Sequence, residues 1–167
     1  MWVSVVLGIN AKCNLTKEKY EMINPVLILD LDGVLITTLM WKPEEIESDG
    51  YSKFNEKCVS NLNHFLSLSD FEIWLSSTRR TVKLLDEFNL IFSNRNITIP
   101  IMGFSPEYPN CKNRREEVLR FIEEFATSEF IIFDDDKPLN GLNEKHKKRL
   151  VLTDLLKGLD DEKLELT

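Results

Sequence analysis

Val26-Leu27-Ile28-Leu29-Asp30-Leu31-Asp32-Gly33-Val34-Leu35 is the stretch that decides the fold. Four consecutive apolar residues ending in acid describe a strand covered on both faces, as in a parallel sheet. Side chains alternate along a strand, so Asp30 and Asp32 leave its end on the same side unless the chain turns. Gly33 lets the backbone turn at once, and the two acids then need not act alike. The bland alternative is a pair of solvated turn acids. A full apolar strand followed by DxD and Gly is an unusual conjunction, which weighs against it.

Outward from that strand, short apolar runs alternate with helical stripes. Cys58, Val59, Leu62, Phe65 and Leu66 share one helical face. Residues 71–75 read as a second strand, and Val82, Leu85 and Phe88 mark a second helix. A third strand is expected at 97–102, interrupted by Pro100. Asn113 is placed as the N-cap of a third helix that buries Val118, Phe121, Ile122 and Phe125. Strands at 130–133 and 150–152 complete the set. The polar stretch from Thr37 to Ser52, with Pro43 and Gly50, reads as a loop or small flap. Strand–helix alternation implies right-handed crossovers and an α/β, Rossmann-like fold: a mostly parallel five-stranded sheet with helices on both faces. The domain is expected over residues 25–167, preceded by an extra strand or arm at 1–24.

Composition narrows the class. The chain has 167 residues, 43% hydrophobic and 29% charged, which is globular balance and excludes a mostly disordered chain. Six Gly and six Pro without a period exclude a collagen-like chain. No apolar run reaches the roughly 18 residues that a membrane span needs. A net charge of −7 opposes non-specific attraction to nucleic acid or anionic lipid. Cys13, Cys58 and Cys111 lie far apart without CxxC spacing, so neither a disulfide framework nor a zinc site is indicated. That usage suits a reducing cytoplasm. Trp2 to Ile9 is apolar, but no basic residue precedes it, unlike a signal peptide.

Two further clusters follow expected strands: Ser76-Ser77-Thr78 with Arg79-Arg80, and Asp134-Asp135-Asp136. In an open parallel sheet the ligand crevice lies beyond the carboxyl ends of the strands, where strand order reverses. Asp30, Asp32 and a late acid would there make a hard, all-oxygen site suited to Mg2+. A cation offsets the repulsion between carboxylates and a phosphate dianion. Serine hydroxyls and an Arg bind the remaining phosphate oxygens. That is equipment for phosphoryl transfer.

These residues resemble the motifs of the haloacid dehalogenase superfamily of phosphatases. Asp30-Leu31-Asp32-Gly33-Val34 matches the first motif, Ser76 (or Ser77) the second, and Asp134-Asp135 the fourth. A closer resemblance is to the small haloacid-dehalogenase-like domains of the Swiss army knife RNA-repair proteins. It rests on Phe54-x3-Cys58-Val59-x2-Leu62-Asn63, Ser76-Ser77-x2-Arg80, Arg114-x2-Glu117-Val118 and Gly158-Leu159, and covers roughly Val26 to Leu159. The resemblance implies a Mg2+-dependent phosphomonoester hydrolase working through an aspartyl-phosphate. Asp30 would be nucleophile and metal ligand. Asp32 would be general acid and then base, with its backbone carbonyl on the metal. Asp135, with Asp134 adjacent, would complete the metal set. Ser76 and Arg114 would join the catalytic group, and Gly33, Ser77 and Arg80 would bind substrate.

Two positions depart from those patterns. Most of the superfamily has lysine at the third motif, where this chain has Arg114, flanked by Lys112 and Arg115. The closer family places Trp before the Arg of the second motif, where Arg79 stands here. A helix-surface Arg paired with Glu at i+3 or i+4 is the bland reading of Arg114. Arg in place of that lysine keeps open an alternative function, a non-catalytic phosphate- or partner-binding module on the same fold.

No large cap fits between the first two motifs or between Ile99 and Asn113. Capless members of the superfamily often act on bulky substrates such as nucleic-acid ends or phosphoproteins. The expected partner is therefore a phosphorylated substrate, with nucleotide or polynucleotide ends as candidates, and no membrane. Trp41, Tyr51 and Phe54 would either stack on a base or, the plainer reading, pack the flap. The run from Lys145 to Arg149 reads as a solvated face before an edge strand, and neither His64 nor His146 has metal-ligand spacing. A signalling receiver domain needs an acceptor Asp after its third strand, and Ile99-Pro100-Ile101-Met102-Gly103 supplies none. GxxxxGK[ST], GxSxG and HExxH motifs are absent.

Overall fold

Leu27 and Leu29 of strand β1 (Val26–Leu29) face one side of the sheet, and Val26 and Ile28 face the other. Strand β4 (Phe130–Asp134) repeats the division, with Ile131 and Phe133 on the first side and Phe130 and Ile132 on the second. Alternation along a strand thus builds two cores from one sheet. With β2 (Glu72–Leu75), β3 (Ile101–Phe104) and β5 (Leu150–Leu152), the sheet runs β3-β2-β1-β4-β5. Every neighbouring pair is parallel. Helices α1 (Glu56–Leu66) and α2 (Leu85–Asn94) cover one face, and α3 (Arg114–Phe125) covers the other. This computed structural model describes residues 24–38, 41–125 and 129–165, and the extra strand or arm expected at 1–24 falls, Asn24 apart, outside them.

Capping and stripes set the helices. Asn55 Oδ1 accepts from the Lys57 and Cys58 amides at 3.0 and 3.3 Å, and the Cys58-to-Leu66 stripe is buried as its spacing requires. Asn113 Oδ1 accepts from the Glu116 amide at 3.1 Å, and Val118, Phe121 and Ile122 are buried behind it. Two expectations shift. The third strand begins at Ile101, after Pro100, because proline has no amide to give the ladder and restricts the residue before it. Asn89 closes that strand start, its side chain accepting from the Ile101 amide at 2.7 Å. Val82 is exposed, at the end of a short 3-10 turn (Thr78–Thr81), and α2 buries Phe88, Ile91 and Phe92 instead.

The segment between β1 and α1 folds as the small flap its composition suggested. Ile46 and Ser52 form an antiparallel bridge, and the Glu47 amide donates to the Tyr51 carbonyl at 2.9 Å. Among the described residues there is no large cap, and no helix is long and apolar enough to cross a membrane. Short helices α4 (Glu144–Lys147) and α5 (Asp161–Leu164) flank β5. Asn61 of α1 ties down the C-terminal turn by donating to the Leu159 carbonyl at 2.9 Å.

Candidate metal and phosphate site

Register brings the two acidic motifs together. Leu29 pairs with Phe133, so Asp30 and Asp134 leave adjacent strands at the same level, and the Asp30 amide donates to the Phe133 carbonyl at 2.9 Å. The chain runs outward from β1 to β3 on one side and resumes at β4 on the other, which makes the β1–β4 boundary the switch point. Carboxylate oxygens of Asp30, Asp134 and Asp135 all lie within 4.8 Å of one another there. Gly33 makes this possible. Its φ is +67°, and a β-carbon on it would sit inside the Asp135 carboxylate.

The cluster is electrostatically strained. Burial raises the Asp30 carboxyl to about 7, and the neighbouring Asp134 adds to it, against partial relief from Arg114, the Leu31 amide and the Ser77 hydroxyl. Asp135 rises to about 6 for the same first two reasons. Asp134 is fully buried and accepts from Arg114 Nε at 2.9 Å and from the Asp136 amide at 3.0 Å. Asp136 itself is half-buried.

Arg114 starts α3 and points into the cluster. Besides Asp134 it reaches Asp30 at 3.9 Å and donates from Nη2 to Ser76 Oγ at 3.0 Å. It also pairs with Glu117 at 3.3 Å, so the i+3 partner is present, yet the Arg114 side chain stays 10% exposed rather than lying on the surface. Lys112 is exposed, and Arg115 donates to the Gly141 carbonyl at 3.4 Å. Ser76 and Ser77 are both buried at the end of β2, one on Arg114 and the other on Asp30. Arg80 turns inward. It donates to the carbonyls of Ser76, Ser77, Ser105 and Pro106 at 2.8–3.4 Å, bracing the ends of β2 and β3.

Asp32 diverges from Asp30, as the Gly33 turn permits, and its carboxylate is not part of the three-acid cluster. Arg79 clamps it instead. Nε donates to Oδ1 and Oδ2 at 3.0 and 2.8 Å, and Nη2 to Oδ1 at 2.7 Å. The same guanidinium reaches the flap at Glu44 (2.7 Å) and at Ser52 Oγ (2.9 Å). Of the flap aromatics, Tyr51 and Phe54 are buried against each other, Phe88 and Phe92, whereas Trp41 is 75% exposed.

The sequence profile of one family, the HAD domain in Swiss Army Knife RNA repair proteins, matches residues 26–164. The chain belongs to that family. No curated protein and no solved structure matches it. HAD stands for haloacid dehalogenase, so the expected superfamily and the closer group are both found.

HAD domains generally use Mg2+, and the donor set of this one fits it. Three carboxylates offer hard oxygen ligands in one small space, and the acids resist sharing that space without a counter-charge. Two parts of this HAD domain escaped the sequence reading. One is the Arg79 bridge from Asp32 to Glu44. Consecutive arginines after the hydroxyls were visible, but not that the first would face Asp32 and the second the backbone. The other is the flap anchor, Arg95 on Asp49 at 2.6 Å, whose partners lie too far apart in sequence to signal each other. The basic run lies at the start of β5, the rim opposite the acids, with Lys145, Lys147 and Lys148 exposed and Arg149 stacked on Phe130. His64 is exposed.

Proposed function

We propose that this HAD domain is a Mg2+-dependent phosphomonoester hydrolase working through an aspartyl-phosphate on Asp30. The observation that carries the reading is the convergence of Asp30, Asp134 and Asp135 on one space, ringed by Arg114, Ser76 and Ser77. Asp30, Asp134 and Asp135, with the Asp32 carbonyl, would hold the metal. Bound Mg2+ would supply charge neutralisation for the carboxylates and the phosphate.

Asp30 is held for attack. Its Oδ1 is fixed by the Leu31 amide at 2.7 Å, leaving Oδ2 toward the Arg114 side. In the first step an Asp30 oxygen bonds phosphorus and the P–O bond to the leaving group breaks, with the proton for the leaving oxygen coming from Asp32. In the second step water gives its proton to Asp32 and attacks phosphorus, and the Asp30 oxygen leaves with its electron pair, releasing phosphate. Arg114 takes the place of the usual lysine. Its planar fork spans Asp134, Ser76 and the edge of Asp30, so it orders the cluster and presents positive charge to phosphate. Ser76 and Ser77 bind phosphate oxygens through their hydroxyls, and Gly33 contributes by the room it leaves. Arg80 supports the substrate side by holding the Ser76–Ser77 backbone. Nucleotide or polynucleotide ends are the substrates we favour, from the family's description and the open, capless site. Unpaired thiols at Cys58 and Cys111 suit a cytoplasmic setting.

Hydrolysis of an aryl phosphate with Mg2+ tests the reading. Activity is expected in the parent chain and a loss of at least about 1,000-fold in Asp30→Asn. Binding of Mg2+ and beryllofluoride with no turnover of any phosphoester would instead support the non-catalytic module, which the Arg79 clamp on Asp32 favours.

A further inference from the structure

Arg79 holds an internal anion at the edge of the site. Its Nη2 is shared between Asp32 and Glu44, both at 2.7 Å, and Glu44 belongs to the flap and is one-third exposed. Burial alone would raise the Glu44 carboxyl, but hydrogen bonds from Ser52 and Arg79 outweigh it and hold it low. Beside this group lies an unsatisfied donor. Tyr51 is 6% exposed, its ring sits under the Arg79 guanidinium at 5.9 Å, and its hydroxyl, which faces that guanidinium, has no acceptor for its proton. A buried hydroxyl in that state costs stability unless something binds it. Beyond Glu44 is a cavity of about 430 Å3, lined also by Lys42, Glu45, Lys53, Asn55 and Glu56.

We propose that Arg79, Tyr51 and Ser52 form a second anion subsite, closed by Glu44, which receives a phosphate carried on the leaving-group side of the substrate. The inference rests on the phosphohydrolase reading in one respect: Asp32 marks where the leaving oxygen sits. Arg79 is already shared between Asp32 and Glu44, so an incoming anion binds there by displacing Glu44. A partly exposed carboxylate–arginine contact is weak, whereas phosphate takes Arg with charge-assisted hydrogen bonds and gives Tyr51 the acceptor it lacks. The cavity behind Glu44 has room for the rest of the leaving group, with Lys42 on its wall and Lys53 paired there with Glu45 at 3.3 Å. The favoured substrate is accordingly a phosphomonoester whose leaving group bears another phosphate, rather than a simple alkyl or aryl phosphate.

Calorimetric binding on the full chain carrying Asp30→Asn, which stops turnover, tests this. The ligands are adenosine 3′,5′-bisphosphate, each adenosine monophosphate and a 5′-phosphorylated dinucleotide. The bisphosphate is expected to bind about tenfold tighter than either monophosphate. Adding Glu44→Gln widens that preference, Arg79→Met abolishes it and Arg79→Lys restores part of it. An equal gain with the dinucleotide assigns the subsite to a phosphodiester as well, and no gain assigns it to a monoester. Equal affinity for bisphosphate and monophosphates, or a preference that neither Glu44→Gln nor Arg79→Met changes, overturns the proposal. Glu44→Gln decides the matter if Arg79→Met does not fold, because a purely structural Arg79 would leave the ratio unmoved. Failure of the Asp30-intact protein to hydrolyse any phosphoester would defeat the phosphohydrolase reading while leaving this ratio to stand or fall by itself.

Discussion

Asp30 is placed where a carboxylate is least comfortable, and that discomfort is measurable. Its burial beside Asp134 means that ionising it works against the fold when no cation is present. Asp30→Asn removes one charge from the cluster while keeping the shape. At pH 8, above the raised value of about 7, the metal-free Asp30→Asn protein is expected to be more stable than the parent by about 1 kcal/mol, read by denaturant unfolding. A loss of stability would mean that Asp30 is held by favourable contacts. Gly33 makes the complementary case. Gly33→Ala puts a side chain on a backbone at φ +67° and into the Asp135 carboxylate. It should lower stability by about 1–2 kcal/mol and weaken divalent-ion binding about tenfold, checked by thermal unfolding and metal titration.

At the scale of elements, the flap depends on one buried arginine. The Arg95 side chain is 3% exposed, stacks on Tyr51 and Phe54, and donates to the Asp49 carboxylate and to the carbonyls of Tyr51, Ser52 and Ile91. Hydrogen bonds from Arg95 hold the Asp49 carboxyl well below its usual range. An acid depressed in the folded state contributes stability at neutral pH and loses it as pH falls through the acid range. Asp49→Ala leaves the buried Arg95 with only the longer Glu47 contact, at 3.9 Å, as counter-charge and should cost about 2 kcal/mol in urea unfolding at pH 7, with the difference shrinking in strong acid. Nothing local announced this pair. The strands, by contrast, were legible because Val26–Leu29 and its partners are buried runs bounded by polar residues, and the Asn55 and Asn113 caps are short-range signals. The meeting of the acidic strand ends was equally legible, since a parallel sheet gathers carboxyl ends at one rim. Side-chain direction was not: Asp32 and Arg80 turned away from the three-acid cluster for partners that local sequence does not specify. The strand after Pro100 shifted because periodicity could not show which side of the proline would pair.

The whole molecule works as a frame that forces like charges together at the β1–β4 boundary. Asp30 and Asp135 carboxyls raised from 3.8 to about 7 and 6 mean that the metal-free fold loses stability as pH rises from the unfolded value to the folded ones, with the penalty complete above them and absent in acid. A cation held by these oxygens would compete with protons for them. Mg2+ should therefore raise the melting temperature at pH 8 and do so far less at pH 5, while an equal shift at both values would place the ion elsewhere. The most direct test of the shared cation site is titration with Mn2+ as a paramagnetic substitute for Mg2+, followed by electron paramagnetic resonance. One tight ion per chain is expected, weakened by about tenfold or more in both Asp30→Asn and Asp135→Asn. Unchanged Mn2+ affinity in either variant would contradict a cation held jointly by the ends of β1 and β4.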